Sequence, residues 1–142
     1  MIVTVDASVA AMWFLPEPHS DKAALFLGPD YELVAPDLLR IEVGSALLKA
    51  LRRKEITDAD GAEALRALLP AAVRLIPSTH HADAAFEIAR RHGGSLYEAV
   101  YISVAHTLDT PVVTNDTALA QVARKAKVRA LMVADGPPSP AR

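Results

Sequence analysis

Met1-Ile2-Val3-Thr4-Val5-Asp6-Ala7-Ser8 is a short β-branched run that ends abruptly in a carboxylate. An apolar run bounded by a polar break is the pattern of a buried parallel strand. Open α/β sheets place their ligand sites at the carboxyl ends of strands, so Asp6 stands where chemistry is usually done. A simpler role competes with that one, because a carboxylate just ahead of a helix beginning at Ala7 can cap it by accepting a free amide proton. Asp6 alone favours the cap. A chemical role requires other acids to reach the same place.

Downstream, Ala7 to Leu15 reads as a helix that Pro16-Glu17-Pro18 ends, since proline lacks the amide donor. A short helix is predicted from Ser20 to Leu27 and a strand over Leu33-Val34-Ala35. Apolar residues at Leu39, Val43, Leu47, Ala50 and Leu51 recur at helical spacing from Leu38 to about Arg53, with Asp37 placed to cap them. Thr57-Asp58-Ala59-Asp60 resembles the capped start of another helix, running through Leu69 to Pro70. Val73 to Ile76 is a third strand and Ala82 to Arg91 a helix, stopped by His92-Gly93-Gly94. A helix from Ser95 to His106, a strand Pro111 to Thr114, a helix Thr117 to Lys125 and a strand Val128 to Val133 complete the series. Strands separated by helices imply right-handed crossovers, a parallel sheet and helices on both of its faces. Residues 1–135 form one predicted domain, and the proline-rich 136–142 a flexible tail.

The composition fits that reading. The chain has 142 residues, 51% hydrophobic and 23% charged, with a formal net charge of −2. Such a chain is globular, and it does not bind nucleic acid through bulk positive charge. It contains no cysteine, which excludes disulfides and zinc-thiolate sites and suits a reducing cytosol. Asp6 and Pro16 interrupt the apolar N-terminal stretch before a membrane-spanning length, and no basic leader precedes it, so a cytoplasmic protein without an anchor is expected.

Three further acids stand in unusual company. Glu42 lies inside the clearest helix, with Leu38 and Ala46 four residues to either side. An inward carboxylate there requires a partner or a metal, whereas a helix-edge glutamate could reach water with its flexible stem; both readings stay open. Ser95 and Glu98 have the spacing of a capping box. Asp116 follows Val112-Val113-Thr114 and precedes a helix, so it too could be a cap. Yet Asp6 and Asp116 share one topology, each a carboxylate just past a buried strand, and in a parallel sheet such positions share an edge.

The elements Val5-Asp6-Ala7-Ser8, Pro36-Asp37-Leu38-Leu39-Arg40-Ile41-Glu42-Val43, Ser95-Leu96-Tyr97-Glu98-Ala99-Val100-Tyr101 and Val113-Thr114-Asn115-Asp116 together resemble the PIN-domain nucleases, most nearly the VapC-type toxins of toxin–antitoxin pairs. Each motif alone is weak, but four in order over nearly the whole chain are specific. The resemblance implies an α/β/α domain with a central parallel sheet and a metal-dependent endoribonuclease site. Carried over by position, its acids are Asp6, Glu42, Glu98 and Asp116, with Ser8, Thr114 and Asn115 supporting them. One position departs from the pattern: the third acid is usually aspartate, and Glu98 adds a methylene.

Two carboxylates about 4 Å apart repel by about 4 kcal/mol at an effective dielectric near 20, so four together require cations or shared protons. Mg2+, or Mn2+, is the expected cofactor, since both take oxygen ligands. Asp6 and Asp116 are the expected core ligands, with Glu42 and Glu98 acting through water or a second ion.

RNA phosphates would need cations outside the cluster. Arg52, Arg53, Lys54, Arg90, Arg91, Arg124, Lys125, Lys127 and Arg129 are the candidates, while Tyr97 and Tyr101 read as packing residues. His80, His81 and His106 have no metal-ligand spacing and stay unassigned. The resemblance also implies a VapB-type antitoxin and a homodimer, with Trp13, Phe14 and Leu15 offering an apolar docking surface or simply packing in the core.

Competing classes fit less well. A phosphoaspartyl phosphatase wants a second aspartate where Ser8 stands, and a receiver domain wants a late lysine near its acids. The alternative from a different class is a non-catalytic PIN domain that binds RNA or an antitoxin without cutting.

Overall fold

The computed structural model describes residues 1–68 and 72–139. Five parallel strands form one sheet in the order β3-β2-β1-β4-β5, where β1 is Ile2–Val5, β2 Glu32–Pro36, β3 Val73–Ile76, β4 Val112–Thr114 and β5 Ala130–Met132. The opening run is its central strand. Val3, Thr4 and Val5 are buried because layers cover both faces of the sheet. Val5 lies beside Val113, and Thr4 beside both Val34 and Val112.

The helices are α1 Ala7–Ala11, α2 Ser20–Leu25, α3 Leu38–Arg52, α4 Asp58–Ala67, α5 Ala82–His92, α6 Leu96–Leu108 and α7 Thr117–Lys125. The chain steps from β1 outward through β2 to β3, then returns to the other side of β1 for β4 and β5. Right-handed crossovers put α1 to α4 on one face and α5 to α7 on the other. Val3, Val5, Leu39, Val43, Leu47 and Phe26 fill the first layer, and Ile102, Val112, Leu119 and Val122 the second. Because the direction of travel reverses at β1, the C-terminal ends of β1 and β4 border a crevice. Open α/β sheets bind their ligands at that point.

Several boundaries differ from expectation for nonlocal reasons. The first helix ends at Ala11 rather than Leu15, and the following turn lets the Trp13 indole donate to the Ala23 carbonyl at 3.1 Å. Trp13 and Phe14 pack against the core and Leu15 is buried, so that segment serves packing more than docking. Asp37 does not cap α3. Its carboxylate accepts from the Ser78 amide at 3.0 Å and from the Ser78 hydroxyl, whose oxygen in turn accepts from the Leu38 amide at 3.1 Å. Ser78, 41 positions away from Asp37, therefore caps the helix. The last strand is shortened to Ala130–Met132.

Leu69 and Pro70, predicted to close α4, and residues 140–142 of the predicted tail lie outside the described residues. Pro138 is tied to the body through its carbonyl, which accepts from the Tyr31 hydroxyl at 2.8 Å. Among the described residues no helix is long and apolar enough to cross a membrane.

Candidate active site

Asp6 leaves the end of β1 with extended backbone and is 5% exposed. Its side chain makes no capping bond to α1. Instead one carboxylate oxygen, Oδ2, receives the Ser8 hydroxyl at 2.6 Å and the Thr114 hydroxyl at 2.8 Å. Thr114 in turn accepts the Asp116 amide at 3.0 Å, and Ser8 accepts the Asn115 amide at 3.0 Å. These bonds lock the end of β1 to the end of β4. Asn115 contributes through its backbone while its side chain is exposed.

Asp116 is both a cap and a pocket residue. Its Oδ1 accepts from the Ala118 and Leu119 amides at 2.8 and 3.3 Å, which fixes the carboxylate at the start of α7. Glu98 closes a capping box with Ser95: its Oε2 accepts the Ser95 amide at 3.2 Å, and Ser95 Oγ accepts the Glu98 amide at 3.1 Å. Gly94 makes room for this longer acid, since a Cβ there would stand 2.8 Å from Glu98 Oε2. The Gly94 φ of +83° also favours glycine.

Glu42 projects from the second turn of α3, half-buried, and its Oε1 has no hydrogen-bond partner among the described residues. Asp6, Ser8, Glu42, Glu98 and Asp116 line one open pocket with Ile41 and Tyr97 on its wall. The structure thus brings all four predicted acids to one crevice, carried by four separate segments.

Their charges interact. Burial, above all, raises the Asp6 pKa; the Ser8 and Thr114 hydroxyls and the Ala7 amide oppose this, and the Asp116 charge adds to it. Glu42 is pushed up to about 7 by burial, then by the charges of Asp6 and Glu98. A carboxylate half-protonated near neutrality and lacking a hydrogen bond is a group in want of a cation.

Among the described residues no three acids or histidines stand close enough to hold one metal ion between them as they lie. The donor set nevertheless fits a hard divalent cation. It offers only oxygens, including the unpartnered Glu42 Oε1, and Mg2+ commonly binds one or two carboxylates while waters bridge to the rest.

Other predicted contributors are placed elsewhere. Helices that follow parallel strands run back toward the opposite sheet edge, so Arg52 at the end of α3, Arg53 and Lys54 just past it, and Arg124 and Lys125 ending α7 lie at the far ends of their helices from the acids. Lys127 and Arg129 line a separate pocket with Thr110 and Pro111 at that opposite edge. Arg90 and Arg91 both pair with Glu87, at 2.7 and 2.6 Å. His81 shares a 2.9 Å hydrogen bond with Ser103 and does not line the acidic pocket.

Tyr101 is buried as expected, whereas Tyr97 is 67% exposed on the pocket wall, because it precedes Glu98 on the outward face of α6. Ile41, 76% exposed, holds the matching place before Glu42 on α3. Sequence reasoning missed Ile41 and Ser45 as wall residues, although Ser45 lies one helical turn from Glu42.

A parallel sheet reversing at its central strand, with acids gathered at the reversal, makes this an open α/β domain with an acidic site at its switch point. The PIN domain family model matches residues 3–125, and the chain belongs to that family. It is similar to ribonuclease VapC3 of Pyrobaculum aerophilum, at 29% identity over 123 residues that cover 85% of this chain and 94% of that protein. A solved P. aerophilum protein superposes with a TM-score of 0.66 at 25% identity, over 94% of this chain and 92% of that one. The solved VapBC2 of Rickettsia felis, bound to a DNA fragment from their promoter, shares the fold, with a TM-score of 0.65 at 13% identity over 93% and 98% of the two chains.

Proposed function

We propose that this chain is the toxin of a toxin–antitoxin pair and acts as a divalent-metal-dependent endoribonuclease. The observation that carries the reading is the convergence of Asp6, Glu42, Glu98 and Asp116 on one pocket at the sheet's reversal point. The similarity to ribonuclease VapC3 supports the substrate class.

Asp6 and Asp116 are the residues that would hold Mg2+ or Mn2+, with Glu42 and Glu98 reaching it through water or a second ion. Bound there, the ion would lower the pKa of a water and neutralise the scissile phosphate. The chain's own residues do the rest. Ser8 and Thr114 fix the Asp6 carboxylate by occupying one oxygen, and the first amides of α7 fix Asp116 in the same way. With no cation near, Glu42 takes up a proton as pH falls through about 7, which relieves the repulsion among the acids. Tyr97 and Ile41 give the wall an apolar surface against which an unpaired base can lie.

An antitoxin segment would have the same groove to cover, and Ile41 and Tyr97 are exposed apolar residues on its wall that could receive it. Homodimerisation belongs to the same reading. A non-catalytic domain that binds RNA or an antitoxin is the alternative, favoured by one observation: Glu98 is engaged in its capping box.

Cleavage of total RNA by antitoxin-free protein in Mg2+ or Mn2+ decides between them. Discrete products that vanish with EDTA and in Asp6→Asn are the expected result. Intact RNA in the presence of folded protein would leave a binding module.

A further inference from the structure

Tyr101 lies on the second turn of α6 and is only 1% exposed. Although α6 belongs to the opposite layer, its ring joins the core cluster that contains Val5 and Ala7, which flank Asp6, and Leu39 and Val43, which flank Glu42 on α3. The ring is ordinary core packing. The hydroxyl is not, because it is buried with no hydrogen-bond partner among the described residues, and buried polar groups nearly always have one.

Glu42 Oε1 is buried and unpartnered as well. The two orphans are complementary, since a tyrosine hydroxyl donates and an ionised carboxylate only accepts. Asp6 is the competing acceptor nearby, but its Oδ2 already receives two hydroxyls. Glu42 is the acid still lacking a donor.

We propose that Tyr101 is a positioning residue: its hydroxyl donates to Glu42 Oε1, directly or through one buried water, when the pocket takes its divalent cation, and so fixes that carboxylate toward the ion. This rests on the metal-dependent reading above. Burial, and then the Glu42 and Asp6 charges, hold the Tyr101 hydroxyl above its usual pKa, so it stays a donor throughout the working range. Removing the outer partner of a metal-binding carboxylate typically costs about 10- to 100-fold in affinity.

Tyr101→Phe keeps the ring and deletes the donor. Calorimetric titration of the antitoxin-free full chain with Mn2+ is expected to show about tenfold weaker binding. The metal-free melting temperature stays unchanged or rises, because an unsatisfied hydroxyl has gone. On RNA, kcat falls while KM holds. In a Glu42→Ala background, which leaves Tyr101 no acceptor at that position, adding Tyr101→Phe has no further effect on Mn2+ affinity. Independently of any variant, the 13Cζ resonance of Tyr101 in the wild type shifts on saturation with Mg2+.

Unchanged Mn2+ affinity in Tyr101→Phe beside a wild type that binds overturns this inference alone, as does an unmoved Tyr101 resonance. The same tenfold loss in the Glu42→Ala background also overturns it. A wild type that binds no Mn2+ overturns both this inference and the metal-dependent reading.

Discussion

Replacing Glu42 with glutamine tests whether the acidic pocket is strained without its cation. Glu42 in the folded, metal-free protein titrates at about 7, against an ordinary 4.5, mainly because it is buried and secondarily because Asp6 and Glu98 repel it. The folded state thus holds this proton more tightly than the unfolded state does. Its contribution to stability is full below about pH 4.5 and is lost as pH rises through about 7. Between pH 5 and pH 8 the loss is about 2–3 kcal/mol, at about 1.4 kcal/mol per pKa unit. In a domain of this size that corresponds to about 8 °C in Tm. The amide of the Glu42→Gln variant has no proton to lose, so the variant escapes the decline. Urea and thermal unfolding in EDTA at pH 5 and pH 8 measure the difference. The variant gains about 2–3 kcal/mol on the wild type in going from pH 5 to pH 8, and saturating Mn2+ at pH 8 then favours the wild type. An offset between the two proteins that is the same at both pH values would refute the reasoning.

Other perturbations probe the rest of the pocket. Gly94→Ala places a Cβ 2.8 Å from Glu98 Oε2 and 3.3 Å from Val122 at a φ of +83°, so it lowers stability by about 1–3 kcal/mol and displaces Glu98, as unfolding and the Mn2+ affinity will register. Thr114→Val removes one of the two hydroxyls on Asp6 Oδ2; a loss of about 1–3 kcal/mol while Asp6 is ionised, shrinking as pH falls and Asp6 takes up a proton, is the expected unfolding result. Tyr97→Ala, on an exposed wall, leaves stability within about 0.5 kcal/mol and raises KM for RNA severalfold with kcat retained in steady-state assays.

Much of the fold was legible because local and tertiary signals coincide. The buried run of β1, the helical spacing from Leu38 and the box at Thr57 and Asp60 all read directly, since backbone preference and burial point the same way there. The site was legible in a weaker sense. Asp116 and Glu98 do serve as caps, so their local explanation is correct yet incomplete; only the strand order shows that both also face Asp6's crevice. Asp6 itself makes no cap, because Ser8 and a threonine 108 positions away compete for its carboxylate. The capping of α3 by Ser78 is likewise nonlocal. Sequence neighbours also do not reveal which sheet edge a side chain reaches. That separates Lys127 and Arg129 from the acids, and turns Tyr97 outward while burying Tyr101.

The proposed activity depends on four carboxylates forming a site for a divalent cation. Anomalous diffraction from crystals of the antitoxin-free protein soaked in Mn2+ tests it most directly. A peak is expected in the pocket, ligated by Asp6 and Asp116 and absent from Asp6→Asn crystals treated alike. A pocket without a peak, or with a peak that survives Asp6→Asn, would contradict it.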